Sequence, residues 1–460
     1  MTIPPSPFTG DLAHDSAALR DFAAECDRTL RRLGPVAERD ADRAAQAARA
    51  HHAVRALRRA FLRRHASAVY RRATGDLRDS LRLADLAAAA TARFPGLLPQ
   101  PAQLAADAAV VQAHKEGWEI DQGIFFHAVF ADPVAGEHLL DAMRRPTPAA
   151  RALLAGYEAT GRVALPAVTL TRSGHTATLT IINVHCLNAE DNQHVADMET
   201  AVDLVLLDPR SKVGVVRGGE MTHPRYRGKR VFSAGINLAE LHAGRISYLE
   251  FLLGRETGYL AKILRGLSDD SDSWPPTPRT KPWIAAVDTF AIGGGAQLLL
   301  VFDRVIAAAD SYFSLPAAQE GIVPGAGNLR LGRTATSRVS REVILWGRKI
   351  RATEPDARYV FDSVVEPGAL AAEITRAAEQ LAADAVIANK HMIVTAEEPQ
   401  DAFRRYMSEF ALHQALRLYG EDVLAKVSRF SARAHDSAPS QADAAAQTGA
   451  SVPREAGARR

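Results

Sequence analysis

Ile292-Gly293-Gly294-Gly295-Ala296-Gln297 is the stretch whose reading decides the fold. It follows the apolar run Trp283-Ile284-Ala285-Ala286-Val287, which reads as a buried strand. A buried strand that breaks into three glycines and then enters a helix brings bare backbone N–H groups close to a ligand. A second turn of this kind stands earlier, at Phe232-Ser233-Ala234-Gly235-Ile236-Asn237-Leu238. Two small-residue turns, each expected to follow an apolar strand, can aim two N–H donors at one oxygen. Such an oxyanion hole suits a thioester enolate.

The bulk properties narrow the class. A chain of 460 residues suggests two or three domains and buries a sizeable core. Apolar residues make up 47% and charged residues 24%, ordinary values for a globular protein. A net charge of +3 makes no case for nucleic acid. The cysteines are two, Cys26 and Cys186, far apart, so neither a disulfide framework nor a structural zinc site is expected. The start, Met1-Thr2-Ile3-Pro4-Pro5-Ser6-Pro7, lacks the basic and apolar regions of a signal peptide. No run of ~20 apolar residues predicts a membrane span. A cytoplasmic protein is expected.

Residues 1–162 are rich in Ala, Arg, Leu and Asp and read as a helical N-terminal domain. Val54, Leu57, Phe61 and Val69 fall on one helix face, with Arg55, Arg58, Arg59, Arg63, Arg64, Arg71 and Arg72 around the rest. That basic side reads as a solvated or subunit-facing surface. Pro95-Gly96 and Pro99-Gln100-Pro101 interrupt the helices. Near Val163 the pattern changes. Val163–Thr171 and Thr176–Asn183 are β-rich around a hairpin turn at Arg172-Ser173-Gly174-His175. A helix over Ala189–Leu207 carrying Glu190, a strand over Val213–Arg217 and a polar loop over Gly218–Arg230 follow. Residues 163–335 are expected to form a core of alternating strands and helices. Residues 336–433 read as a mostly helical oligomerisation region, and residues 434–460 as a disordered tail.

The two turns resemble those of the crotonase (enoyl-CoA hydratase/isomerase) superfamily. The resemblance continues through Asp303-Arg304-Val305-Ile306-Ala307-Ala308, Phe313-Ser314-Leu315-Pro316, Gly321-Ile322-Val323-Pro324-Gly325-Ala326-Gly327 and Phe361-Asp362-Ser363-Val364-Val365. It implies an α/β fold, a spiral of ββα turns, here with an added helical N-terminal domain that covers the active site and builds an oligomer. It implies an acyl-CoA substrate whose thioester oxygen is held by the N–H groups of Ile236 and Gly294. Ala234, Gly235, Asn237, Leu238 and Gly295 flank those donors and are expected to contact substrate. The superfamily forms trimers or dimers of trimers, so a homo-oligomer is expected.

Simple hydratases of the superfamily place two glutamates beside the thioester. Here those positions hold Gln297 and Ala317, which argues against hydration by a carboxylate pair. Glu190 and Arg255 are each readily explained as surface charges. Together with Gln297 and the loop His223-Pro224-Arg225-Tyr226, they are similar to one branch of the superfamily, the 3,5-dihydroxyphenylacetyl-CoA 1,2-dioxygenases of glycopeptide-antibiotic biosynthesis. That resemblance implies O2 as co-substrate and no metal or organic cofactor. Gln297 would hold the thioester region or a water, and Glu190 and Arg255 the ring hydroxyls. His223, Arg225, Tyr226 and Lys229 are candidates for the phosphates and adenine of CoA. Ile236, Ala317 and Ile322 would frame an apolar oxygen pocket. Without O2 chemistry the same fold would serve as a thioesterase, isomerase or atypical hydratase. A silent scaffold, whose basic N-terminal helices bind a partner, is the third reading. His51, His52, His185 and His194 lack ligand spacing and read as structural.

Overall fold

The computed structural model describes residues 8–268, 274 and 279–426. The predicted tail at 434–460 lies outside the described residues. Helices α1 (Leu12–Leu33), α2 (Ala41–Ala73), α3 (Leu83–Arg93), α4 (Pro101–Ala108), α5 (Trp118–Ala131), α6 (Pro133–Arg144) and α7 (Pro148–Thr160) come first. Their limits follow local chemistry. Thr147 accepts from Ala150 N at 3.2 Å and Pro148 begins α7. Gly161, at φ +67°, ends it. α2 buries Val54, Leu57, Phe61 and Val69, as their spacing predicts. Its arginines do not all face solvent, however. Arg58 is 2% exposed and donates to Asp121 of α5 at 2.6 Å. A guanidinium enters the interior only with a partner, and Asp121 supplies it.

Strands β1 (Arg162–Ala164), β2 (Val168–Ser173) and β3 (Thr176–Ile181) pair antiparallel. Ser173 opposes Thr176, so the hairpin turn is Gly174-His175, tighter than the sequence suggested, with Gly174 at φ +59°. Helix α8 (Asn192–Leu207) is capped by Asp191, which accepts from His194 N at 2.9 Å. Glu190 therefore precedes the helix and its cap rather than opening the helix.

The chain then runs through β4 (Val213–Gly218), α9 (Leu238–His242), a π-helical turn at Tyr248–Leu253, α10 (Gly254–Thr257) and α11 (Tyr259–Arg265). Next come β5 (Trp283–Val287), β6 (Phe290–Ile292), α12 (Gly294–Leu299), β7 (Arg304–Ala308), β8 (Tyr312–Ser314) and α13 (Ala317–Glu320). The sheet order is β1-β2-β3-β4-β5-β7 and then β10 (Ser363–Val365), parallel from β3 onward. A smaller sheet is ordered β6-β8-β9, with β9 at Lys349–Arg351. Two successive units share one plan: β5 in the large sheet, β6 in the small one, then α12; β7 in the large sheet, β8 in the small one, then α13. Strands β9 and β10 lie within the stretch expected to be mostly helical. Each has three residues, too few to show a two-residue period in sequence.

Helices α14 (Gly327–Thr334), α15 (Ser337–Trp346), α16 (Leu370–Leu381), α17 (Asp384–Glu397) and α18 (Gln400–Arg417) follow, and residues 421–426 are helical again. Every residue of β5 is buried because both faces of its sheet are covered. Trp283, Ala285 and Val287 join the main core; Ile284 points the other way, into a second cluster with Val213, Val215, Ile306 and α16. Helix α18 crosses back onto α5. A Cβ on Gly123 would stand 2.6 Å from the Ala415 Cβ, so glycine is what lets the two helices approach.

One ion cluster ties the N-terminal helices together. Arg39 grips both oxygens of Glu116 at 2.7 and 2.6 Å, and His51 Nε2 lies 2.8 Å away. Burial opposes ionisation of Glu116, but His51 and Arg39 prevail and bring its pKa down to about 2, from the usual 4.5. The folded-state value is depressed, so the ionised form contributes stability that is present above about pH 4.5 and lost as pH falls toward 2. Glu116→Gln is expected to lower unfolding free energy at pH 7 by about 3 kcal/mol. The gap from wild type in urea titrations should shrink by pH 3, and a constant gap would remove the charge from the explanation.

Candidate active site

Both glycine turns reach one cleft. Gly235 has φ +87° and Gly293 has φ +54°, conformations that favour glycine. Each is followed by a residue whose N–H is free: among the described residues, Ile236 N and Gly294 N donate to no protein acceptor. The turns touch, since a Cβ built on Gly235 would be 3.3 Å from Gly294 N. A single bridge, Ser233 with Ala291, holds them in register, and another, Glu190 with Ile236, ties the first turn to the segment before α8. No strand precedes the first turn, contrary to expectation. Its lead-in is held instead by separate bonds, such as Ala234 N to Leu187 O at 3.0 Å and Ile292 N to Ser233 O at 3.0 Å.

Of the residues singled out from sequence, Glu190, Ala234, Gly235, Ile236, Leu238, Arg255, Gly294, Gln297 and Ile322 line the cleft. The others stand apart from its surface. Asn237 caps α9, accepting from Ala239 N at 3.1 Å. Gly295 packs on Ser233, whose Cβ would lie 2.5 Å from an added Cβ. Ala317 is buried, and its carbonyl accepts from Ile322 N at 3.1 Å. His223-Pro224-Arg225-Tyr226 forms a short 3-10 turn that does not line the cleft. Its Tyr226 ring meets Phe290 edge-on at 5.4 Å, and Phe290 stacks on Tyr312. Lys229 is exposed in the same loop.

A buried ionic network forms the inner wall. Arg255 Nε donates to Glu190 Oε2 at 2.7 Å. Nη1 donates to Glu256 Oε1 at 3.0 Å and Gln297 Oε1 at 3.1 Å. Nη2 donates to the Gly294 carbonyl at 2.6 Å and approaches Glu190 Oε1 at 3.5 Å. All five guanidinium N–H bonds are thus directed at protein acceptors, so Arg255 keeps no spare donor for a ring hydroxyl. Lone pairs of Glu190, Glu256 and Gln297 remain. Burial opposes ionisation of Glu190, yet Arg255, with Ser233 donating to Oε1 at 3.1 Å, holds it below the usual carboxylate range. The same pairing raises Arg255 against its burial. His194 is fully buried, and burial pushes its pKa down, keeping it neutral.

Sequence reasoning missed Glu256, Glu320, Gln414 and Lys426, all of which line the cleft. Glu256 carried a signal, an Arg-Glu pair inside an apolar run. Gln414 and Lys426 carried none, because they come from α18 and the segment after it. Gln414 Oε1 accepts from Val323 N at 3.0 Å, and Lys426 Nζ lies 2.7 Å from Glu320 Oε2. Among the described residues, no lining residue precedes Glu190. The N-terminal helices therefore do not cover the site directly; α5 supports α18, which does. Among the described residues, no group of three or more His, Cys, Asp or Glu side chains is placed to hold a metal ion, and no helix is long and apolar enough to cross a membrane.

The sequence profile of enoyl-CoA hydratase/isomerase matches residues 175–416. The chain belongs to this family. As a crotonase-family member it is 54% identical over 419 residues to the (3,5-dihydroxyphenyl)acetyl-CoA 1,2-dioxygenase of Amycolatopsis orientalis, covering 91% of this chain and 96% of that relative. It is 32% identical over 223 residues to the carnitinyl-CoA dehydratase of Citrobacter koseri, covering 47% of this chain and 77% of that one. Pseudomonas aeruginosa OdaA, a solved structure, superimposes on 58% of this chain and 98% of its own, with a TM-score of 0.47 and 21% identity. The crotonase fold here thus carries an added helical region before the matched segment and a helical one at its end.

Proposed function

We propose that this crotonase-family protein is a dioxygenase that converts 3,5-dihydroxyphenylacetyl-CoA and O2 to 3,5-dihydroxyphenylglyoxylate and free CoA, without metal or organic cofactor. The observation that carries the reading is the pair of free N–H groups, Ile236 and Gly294, on one cleft. The name of the Amycolatopsis relative supplies the substrate. The α-carbon between a thioester and an aryl ring is an acidic carbon acid. Two fixed donors lower the barrier further as charge moves to the thioester oxygen. The aryl-conjugated enolate passes one electron to O2, and recombination forms a peroxide at the α-carbon. Its terminal oxygen attacks the thioester carbonyl and expels CoA thiolate. Loss of the remaining α-proton with O–O cleavage leaves the α-keto acid. Ile236 and Ile322 provide the apolar wall on which O2 and the enolate meet, and the buried Ala317 accepts from Ile322 N through its carbonyl. Glu190, held ionised by Arg255, accepts from a ring hydroxyl. Gln297 stays with Arg255 at the thioester side. The exposed His223–Lys229 loop takes the CoA nucleotide. We place the protein in the cytoplasm as a homo-oligomer, a trimer or dimer of trimers, serving antibiotic biosynthesis.

Chelator-treated protein given 3,5-dihydroxyphenylacetyl-CoA in an oxygen electrode tests the reading, with free CoA followed in the same sample. O2 uptake equal to CoA release is expected. CoA release without uptake would make the protein a thioesterase, and no change in either would reject this substrate.

A further inference from the structure

We infer that Glu256 is a specificity-determining residue, the hydrogen-bond acceptor for the second ring hydroxyl. This rests on the head-group reading above and names a group that reading leaves unused. Glu256 lines the cleft yet is only 2% exposed. It sits across the Arg255 guanidinium from Glu190, one carboxylate on Nε and the other on Nη1. Arg255 has its donors committed, so a ligand entering this end of the cleft meets acceptors. Only a head group that itself donates satisfies them, and two flanking carboxylates suit two hydroxyls. A carboxylate offers about four lone-pair sites. Glu256 Oε2 takes Ala326 N at 3.1 Å and lies 3.5 Å from Arg330 Nη1, while Oε1 takes only Arg255. Oε1 keeps a lone pair.

Gly325 packs directly against that oxygen, and only a residue without a side chain fits there. A Cβ on Gly325 would fall 2.1 Å from Glu256 Oε1 and 2.6 Å from Gln297 Oε1. Gly325, at φ +47°, lines the cleft beside them, and Tyr406 donates to its carbonyl at 2.5 Å. Behind the carboxylate, Arg330 is itself bonded to Glu398 at 3.1 Å. The Glu256 side chain is thus braced through Oε2, while Oε1, on a residue that lines the cleft, keeps acceptor capacity.

The test is anaerobic binding, which needs no turnover. Wild-type protein and Glu256→Gln are titrated with the phenylacetyl, 3-hydroxyphenylacetyl and 3,5-dihydroxyphenylacetyl thioesters of CoA, and Tm is recorded for both proteins. A hydrogen bond to a charged acceptor corresponds to roughly ten- to a hundredfold in affinity. Wild type is expected to prefer the dihydroxy ligand over the monohydroxy ligand by about that factor, and Glu256→Gln to lose most of the preference while still preferring monohydroxy over phenyl. Equal weakening of all three ligands would reduce Glu256 to a structural support and overturn the inference. A preference retained in the variant overturns it as well. Wild type that fails to distinguish any of the three would overturn the head-group reading and this inference together. Should Glu256→Gln not fold, Glu256→Asp withdraws the carboxylate by one methylene while keeping its charge, and the same ratios are read.

Discussion

Ile236→Pro is expected to lower kcat by about 10²–10³-fold, the effect typical of deleting one oxyanion donor. Proline removes the N–H and nothing polar besides. The donor it deletes has no partner among the described residues, so no protein hydrogen bond is broken. The preceding Gly235 tolerates the restriction that proline places on its neighbour better than any other residue type. Ile236→Val separates the two roles of the position. It keeps the donor and trims one methylene from the apolar wall, so its rate should stay within a few-fold of wild type. Steady-state O2 uptake for both variants, with circular dichroism and Tm to establish folding, gives the comparison. Wild-type turnover in a folded Ile236→Pro protein would remove this N–H from the mechanism. A large loss in Ile236→Val would move the weight from the backbone to the side chain.

Arg255→Ala should produce the largest loss of stability. The guanidinium serves Glu190, Glu256, Gln297 and the Gly294 carbonyl at once, and both carboxylates are almost fully buried. Removing one partner of a buried pair costs about 3–5 kcal/mol, because the remaining charge stays uncompensated. Urea unfolding at pH 7 measures it. Part of the loss should return on acidification, since protonating Glu190 removes its unpaired charge. Arg255→Lys restores charge but offers three donors from one nitrogen where five N–H bonds served four groups. It should recover stability only in part and remain impaired in selecting the dihydroxyphenyl ligand. A stability change within ±0.5 kcal/mol for Arg255→Ala, the range typical of a surface substitution, would contradict the network.

The glycine turns were legible because their chemistry is local. Gly235 and Gly293 occupy left-handed backbone that few other residues adopt, and their sequence neighbours are the free donors. The five-residue apolar strand Trp283–Val287 was legible for the same reason. Glu190 was found but set in the wrong place, because Asp191 next to it is the better cap and takes that role. The direct part expected of Arg255 changed because nothing in sequence reveals how many of its N–H bonds are already committed. Gln414 and Lys426 were illegible: their place in the cleft depends on α18 folding back past α5, a contact between helices nearly three hundred positions apart in the chain. Short strands such as β9 escape pattern reading because three residues hold no period.

The return of α18 has a consequence for how the protein is made. Phe410 and Gln414 of α18, with Val423 and Lys426 after it, complete the cleft, and α18 covers α5, synthesised long before it. Tyr248 reaches it too, through its hydroxyl to the Ala411 carbonyl at 2.6 Å. Until α18 leaves the ribosome, the growing polypeptide has an open substrate chamber and an apolar helix without its cover, the kind of surface that draws chaperones or aggregates. Premature stop codons before position 400 should therefore yield insoluble product rather than a slower enzyme, although both glycine turns have already been translated.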